Sequence, residues 1–469
     1  MTVWLKHIDD SRRREKNGLT LLNTTSCKIL CILLFYWQNH IYETMKKIRF
    51  IVPALLALAA GLMTSCSSES VDILGDEVHA VNMLLPERNI ELTTDQRKMV
   101  DSNNIFARRL FRNICNQDKT KSTFCSPLSV TYLLGMLNAG AEGNTQKEIQ
   151  DVLGLGDNPQ AVNEWCEKLL KEAPQLDSKV TLNIANSIFV NNKNGTIRTD
   201  YKEEMEKYYD AEVADMDFTN VRNVDVINNW ASKKTDGMIP KILTDEEFKP
   251  SVVMFLLNAI FFKADWTQKF DEKYTKKENF NGINGTKQVE MMHQKLRVLY
   301  SENTAYSCIS LPYGNGNFVM DIILPNEGVS VDDIVLHPEL SDGIMNNGTY
   351  EVDVKIPRWD TDANIPLIPI LKEMGIKQMF SADFAELTKM VNEGTLFVSM
   401  MKQMAKIEVN EKGSKAAAVT IAGGNYVTSV NPDKPEIKYA VFHANRPFLY
   451  TIRENGTDAI FFMGRYLGE

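Results

Sequence analysis

Apolar residues at helical spacing characterise the chain just beyond residue 94. They predict an amphipathic helix within residues 103–112. The apolar positions of this helix are Ile105, Phe106, Leu110 and Phe111. Ser126 followed by Pro127 predicts the start of a second helix, because proline is favoured at the first helical position. Thr145, with Glu148 three residues later, matches a capping box and predicts a third helix.

Strand-like apolar runs dominate the later part of the chain. Residues 252–257 read Val-Val-Met-Phe-Leu-Leu, which is typical of a strand buried on both faces. Five further strands are predicted at residues 317–324, 350–356, 395–409, 448–452 and 460–466. The glycine-rich segment 313–317 lies between extended segments, so it predicts a hairpin turn rather than a nucleotide-binding loop. Helices first and strands later predict an α+β fold with large sheets, in one domain over residues 95–469.

The amino terminus carries two apolar segments. Residues 29–37 are too few to cross a bilayer core of roughly 30 Å. Residues 45–65 combine a basic start with an apolar run, which predicts a signal peptide. They end at Cys66, and the boundary resembles a bacterial lipoprotein cleavage box; an ordinary cleaved signal or an anchoring helix is the alternative. Residues 1–44 are interpreted as an upstream extension, and residues 66–94 as a polar tether.

These segments lead to an expectation about location. We expect an exported protein whose lipid-bearing Cys66 anchors it to the bacterial outer membrane, on the periplasmic or the cell-surface face.

Composition and scattered side chains argue against several classes of function. The net charge of −9 provides no basic excess for binding nucleic acid. Four domain cysteines lack metal-ligand spacing and are interpreted as buried thiols, or as containing one disulfide: Cys115, Cys125, Cys166 and Cys308. The histidines beyond the signal segment stand far apart, outside HExxH and GxSxG motifs: His79, His293, His337 and His443. We therefore expect neither an enzyme nor a cofactor.

The segment from Glu411 to Gly424 has an unusual pattern. It follows a predicted strand, and one face of it in extended conformation carries only small uncharged residues: Ser414, Ala416, Ala418, Thr420, Ala422 and Gly424. Lys415 falls on the other face, and Gly413 provides backbone freedom. A flexible surface loop is the simpler interpretation of such a sequence. The period-two pattern instead predicts a segment that is able to enter a sheet without burying a charge.

Several motifs together resemble the serpin family over residues 100–467. They are the segments 124–129 (FCSPLS), 138–145 (NAGAEGNT), 227–239 (INNW through GMI), 258–266 (NAIFFKADW), 442–448 (FHANRPF) and 462–465 (FMGR). Two positions depart from the family pattern. Lys415 stands where a glutamate is usual, and Gln403 replaces a histidine. Gln403 still donates and accepts hydrogen bonds.

The resemblance implies the serpin fold, with helices around three β-sheets, a large central sheet and an exposed reactive-centre loop at residues 411–435. It implies a suicide inhibitor of a peptidase, whose cleaved loop forms an acyl-enzyme and enters the central sheet. The hinge residues would be Glu411, Gly413, Ser414, Ala416, Ala417, Ala418 and Thr420. Residues controlling the sheet would be Ser126, Ser129, Asn258, Trp266 and Gln403.

Family spacing places the cleaved bond between Val427 and Thr428, with cleavage after Tyr426 as the alternative. These residues suit an elastase- or chymotrypsin-like serine peptidase, or a papain-like cysteine peptidase. The protein is expected to be a monomer. A non-inhibitory binding protein of the same fold is the alternative function; bulky or charged residues on the inward hinge face would favour it, and Ser414, Ala416 and Ala418 are small.

Overall fold

The computed structural model describes residues 89–156, 161–336, 348–414 and 437–469, which lie in one compact unit. The described helices are α1 Thr94–Gln117, α2 Pro127–Gly140, α3 Gly143–Leu153, α4 Ala161–Glu172, α5 Thr199–Tyr209, α6 Asn223–Lys234, α7 Val331–Leu336 and α8 Leu367–Met374. None of the helices in these ranges is both long and apolar enough to cross a membrane.

Fifteen strands are described, and the smaller sheet contains six of them in the order β10-β11-β12-β4-β2-β3. These six are β2 Val180–Asn191, β3 Glu212–Met216, β4 Met254–Asp265, β10 Trp359–Pro366, β11 Met400–Asn410 and β12 Gly413–Ser414. β4 pairs antiparallel with β2 and parallel with β11. We call this the central sheet.

The other nine strands form one network, in the order β1-β15-β14-β8-β7-β6-β9-β13 with β5 beside β6. They are β1 Thr123–Cys125, β5 Lys276–Gly282, β6 Gly285–Glu302, β7 Tyr306–Tyr313, β8 Phe318–Pro325, β9 Gly348–Pro357, β13 Lys438–His443, β14 Phe448–Glu454 and β15 Ile460–Tyr466. The long β6 pairs with β5, β9 and β7 in turn. Two of the three expected sheets are therefore continuous through β6.

The central sheet is covered on both faces. Met254, Leu256 and Ile260 of β4 belong to the main core, together with the almost wholly buried α2. Phe255 and Leu257 belong to a second apolar cluster, together with residues of α6. Because successive side chains of a strand point to opposite faces, α2 and α6 lie on opposite sides of this sheet. Residues 254–257 of the predicted run are thus buried on both faces, as predicted, but β4 begins at Met254, after the half-buried Val252, and extends to Asp265.

The helix starts show how far local patterns hold. α2 begins at Pro127, as predicted, and the side chain of Ser126 caps it by accepting from the Ser129 amide. The capping box predicted at Thr145 is wrong, because α3 begins at Gly143 and the Glu142 N-cap makes no side-chain cap bond. The Glu386 carboxylate, far along the chain, accepts from the Thr145 amide instead.

The first predicted helix also differs from expectation in two ways. α1 runs from Thr94 to Gln117 and is capped by Thr93, so it is much longer than residues 103–112. Ile105, which the spacing placed on the apolar face, is exposed. Phe106 and Leu110 are buried as predicted. Ile90, before the helix, is also buried, so packed structure reaches into the segment interpreted as a tether.

Candidate functional site

The central sheet already contains the start of the predicted hinge. β12, Gly413–Ser414, lies between β11 and β4 and is antiparallel to both. Further along, β11 residues 400–406 pair directly with β4 residues 255–261 in parallel. We call this directly paired part of the sheet the seam. The two strands therefore separate beyond the seam, and the gap between them holds the hinge residues Gly413 and Ser414.

Gly413 sits where other residues do not fit. Its φ of +140° lies in a region that residues with a side chain rarely adopt. A Cβ atom at this position would come 2.1 Å from the carbonyl oxygen of Ala264 on β4. The chain needs glycine here to turn from β11 into the gap.

Ser414 is fixed inside the sheet by a polar contact. Its side chain is fully buried, and its Oγ lies 2.8 Å from the Tyr313 hydroxyl. Burial raises the pKa of Tyr313, so the phenol stays protonated and is able to donate to Ser414. The Tyr313 ring stacks on Trp266 with a centroid distance of 4.3 Å. The Trp266 Nε1 in turn donates to the Asn410 carbonyl at the end of β11, at 2.9 Å.

Glu411 anchors the turn that precedes β12. Its side chain is only 4% exposed. The single Arg358 Nε–H is shared between its two oxygens at 2.8 Å, the Arg358 Nη2 lies 2.6 Å from its Oε1, and the Thr275 hydroxyl donates to it at 2.5 Å. Burial opposes ionisation of this carboxyl, but the bonds from Arg358 and Thr275 outweigh it and lower the pKa of Glu411. The carboxylate therefore remains charged and holds the upstream end of the hinge.

A second group of predicted residues meets beneath the seam. Gln403 of β11 is fully buried; its amide accepts from the Ser126 N–H and donates to the Ser126 carbonyl, both at 2.9 Å. It also donates to the Asn258 Oδ1 of β4, at 3.2 Å. Gln403 and Asn258 are direct register partners. This side-chain bond therefore crosses the seam that an entering strand would have to open.

The polar cluster extends beyond the predicted residues. The Ser126 hydroxyl donates to the Ser129 hydroxyl at 3.0 Å, which completes the group at the start of α2. On the other side, the Asn258 amide donates to Asn186 of β2 at 3.0 Å. The Asn186 amide donates to the Tyr209 carbonyl at the end of α5. The cluster thus links both sides of the seam to α2 and to α5.

Several functional residues were not recognised in the sequence. Four side chains contact a predicted site residue that lies far away in the sequence: Asn186, Tyr313, Thr275 and Arg358. Asn186 alone carried a usable signal, because an asparagine inside an apolar strand requires a buried partner. Some predicted site residues lie outside the described part of the chain: Cys66, Ala416, Ala417, Ala418, Thr420, Tyr426, Val427 and Thr428.

The histidines and cysteines of the described residues either contact a carboxylate or are buried. Among the described residues, no cluster of three or more His, Cys, Asp or Glu side chains is arranged to hold a metal ion. His293 and His443, distant in sequence, both contact Asp353, at 2.6 and 3.4 Å. The four domain cysteines are buried free thiols, and burial raises the pKa of Cys115 to about 12. Protonated buried thiols are poor nucleophiles.

Comparison with known proteins gives consistent matches over the same region. Residues 101–468 match the family Serpin (serine protease inhibitor). The leukocyte elastase inhibitor of Xenopus tropicalis is 31% identical over 382 residues, which cover 77% of this chain and 97% of that protein. The native structure of the thermophilic serpin Tengpin has a TM-score of 0.72 at 27% identity and covers 82% of this chain and 97% of its own. The complex of thyroxine-binding globulin with thyroxine has a TM-score of 0.69 at 26% identity, with coverages of 79% and 99%.

Proposed function

Because the chain belongs to the serpin family, we propose that it inhibits a serine-type endopeptidase by acting as a suicide substrate. The peptidase serine oxygen attacks the carbonyl carbon of Val427, and the bond to Thr428 breaks. The new amino group stays on Thr428, and an ester joins Val427 to the enzyme. The segment from Ser414 onward then enters the central sheet and carries the esterified peptidase with it, before water hydrolyses the ester.

The observation that carries this proposal is the position of β12. Its two residues are already paired antiparallel with both β11 and β4, which is the arrangement that each further residue would adopt on insertion. After Ser414, the side chains that would point to the same buried face of the sheet are Ala416, Ala418 and Thr420, and all are small and uncharged. Insertion along this line therefore buries no charge and overfills no core.

The free energy gained when the loop inserts is large enough to carry the attached peptidase with it. If about a dozen residues gain strand hydrogen bonds at ~1 kcal/mol each, the gross gain is on the order of 10 kcal/mol. That magnitude is comparable to the whole unfolding free energy of a typical domain. The uninserted form must accordingly be kept by a kinetic barrier rather than by being the lowest state.

The proposed targets are elastase-like peptidases, because Val427 suits a small apolar pocket. A relative named leukocyte elastase inhibitor supports this class. Cleavage after Tyr426 would suit chymotrypsin-like enzymes instead, and papain-like cysteine peptidases form a second class.

We further propose that the protein is an exported monomer, tethered through lipid on Cys66 to an outer membrane, as the signal-like segment 45–65 indicates.

A binding role without inhibition is the alternative, since thyroxine-binding globulin also has this fold. A single experiment separates the two functions. Pancreatic elastase and chymotrypsin are incubated with the protein, and the products are separated by denaturing electrophoresis after boiling. Inhibition predicts a covalent complex together with a released carboxy-terminal peptide that begins at Thr428. If each peptidase cleaves the protein without forming a complex, and the melting temperature of the cleaved protein does not rise, the protein is not an inhibitor of these enzymes.

A further inference from the structure

The segment between α6 and β4 lies against the central sheet beside the seam. We call residues 235–253 the linker. Its Ile242 and Leu243 amides donate to the side chain of Asn228 on α6, at 2.8 and 2.9 Å. Its Phe248 ring stacks on Phe255 of β4, with a centroid distance of 5.8 Å. The linker is thus fixed to α6 and to the β4 side of the seam.

One buried side chain ties the same linker to the opposite side of the seam. Lys402 of β11 is 7% exposed at its side chain, and its Nζ donates to the Glu247 Oε1 at 2.6 Å and to the Ile242 carbonyl at 3.2 Å. Lys402 is the register partner of Leu257, so it points to the face that carries the linker, away from Gln403. A lysine is rarely buried in this way unless it is paired. We call Lys402 and its two acceptors the clasp.

The acceptor end of the clasp is held in place. The Glu247 Oε2 accepts from the Thr244 amide at 2.9 Å. Burial opposes ionisation of Glu247, but the bonds from Lys402 and Thr244 outweigh it and lower its pKa. The charged carboxylate is therefore positioned before any movement of the sheet begins.

We propose that the clasp controls how fast the seam opens, an inference that rests on the proposed function. Placing one strand between β11 and β4 moves them apart by a further ~4.8 Å. Bonds of 2.6 and 3.2 Å cannot survive that displacement while the linker stays on β4. The linker is held on β4 by the Phe248–Phe255 stack and on α6 by Asn228, so the clasp breaks and leaves a lysine without its partners. That loss opposes insertion before the strand bonds have formed.

The chain provides a matched control on the same strand. Lys406 of β11 pairs with Asp362 of β10 at 3.0 Å. β10 and β11 are neighbours on one side of the seam, so insertion between β11 and β4 leaves this pair intact. Replacing Lys406 also removes a lysine from β11, without touching the linker.

The test compares the full-length protein with Lys402→Met, Glu247→Gln and Lys406→Met. A synthetic peptide of residues 414–427 is added to each uncleaved protein, and the rate at which it is incorporated into the sheet is measured by native electrophoresis. Lys402→Met should take up the peptide about tenfold faster or more. Glu247→Gln should act in the same direction, and it keeps the test open if Lys402→Met fails to fold. Lys406→Met should match the wild type.

A second measurement separates control of the seam from plain destabilisation. Once the loop is cut and inserted, the clasp is open in every variant. Lys402→Met should therefore leave the melting temperature of the cleaved form unlowered, whereas a merely structural role would lower it in both forms. The role proposed for the clasp is wrong if the wild type takes up the peptide and Lys402→Met does so no faster, or if Lys406→Met is equally accelerated. The proposed function would still stand in either case. If no variant takes up the peptide and cleavage leaves the melting temperature unchanged, the proposed function itself fails.

Discussion

Replacing Gln403 with leucine removes the side chain that joins β11 to the start of α2 and to β4. Leucine has a similar size and introduces no charge, so the packing volume is kept. Three hydrogen bonds disappear, to the Ser126 N–H, the Ser126 carbonyl and the Asn258 Oδ1. The Ser126 carbonyl keeps a bond from the Val130 amide at 3.3 Å, so two buried groups lose their partner.

The magnitude follows from those two groups. Each buried polar group left without a partner costs about 1–3 kcal/mol, which gives about 2–6 kcal/mol in total. Burying the leucine side chain returns about 1.5–3 kcal/mol. We therefore expect Gln403→Leu to lower the free energy of unfolding by about 2 kcal/mol. Because the lost Gln403–Asn258 bond crosses the seam, the variant should also lose inhibitory activity spontaneously and faster than the wild type.

The assay is the midpoint of the first unfolding transition in guanidinium chloride, read by tryptophan fluorescence. Met404→Leu is the control, because it changes the next residue of the same strand while keeping an apolar side chain of similar volume. Gln403→His retains a donor and an acceptor and should lose less stability than Gln403→Leu. An unchanged midpoint in Gln403→Leu, or a histidine variant as unstable as the leucine variant, would show that the Gln403 hydrogen bonds do not stabilise the sheet.

Three further predictions concern the hinge and the thiols. The arginine of Ser414→Arg cannot bury its charge beside Tyr313, so this variant should be cleaved as a substrate without trapping the peptidase. Complex formation on denaturing gels measures this, with Lys412→Arg as the control. A Ser414→Arg variant that still traps the peptidase would contradict the prediction. The lowered pKa of Glu411 means that its contribution to stability is complete above the unfolded pKa of about 4.3 and is lost as pH falls through the lower folded pKa. The melting-temperature gap between wild type and Glu411→Gln should therefore be largest near neutral pH and close in acid; a gap independent of pH would contradict it. The four buried thiols should react with Ellman's reagent only after unfolding, and rapid modification of any of these four in the native protein, located by peptide mapping, would contradict their burial.

The fold was readily predictable where local pattern and packing agree. Residues 254–257 are apolar at every position because β4 is covered by α6 on one face and by α2 on the other. The Ser126-Pro127 start of α2 was equally clear, since its cap and its first turn are adjacent in sequence. Ile105 misled the helix prediction, because a single apolar residue on an exposed face fits the same spacing.

The site was only partly predictable, because its decisive contacts join distant segments. The alternation after Gly413 indicated which side chains would be buried on entry into a sheet, and Ser414 is paired within the central sheet with its side chain buried. No local pattern indicated that Tyr313 would meet Ser414, or that Arg358 would hold Glu411. In the same way, Glu386 stabilises the start of α3, where the local sequence suggested Thr145. Local patterns cannot specify partners that only the tertiary fold brings together.

Hydrogen exchange of the reactive segment shows directly whether the cut loop becomes a strand of the central sheet. The protein is cut within residues 421–428 by a peptidase that it does not trap, and amide exchange of residues 415–420, which precede any such cut, is followed by mass spectrometry before and after it. Insertion should make these amides as strongly protected as those of β4 and β11, because each gains a strand partner on both sides. Amides that continue to exchange at the rate of an unstructured peptide would contradict it.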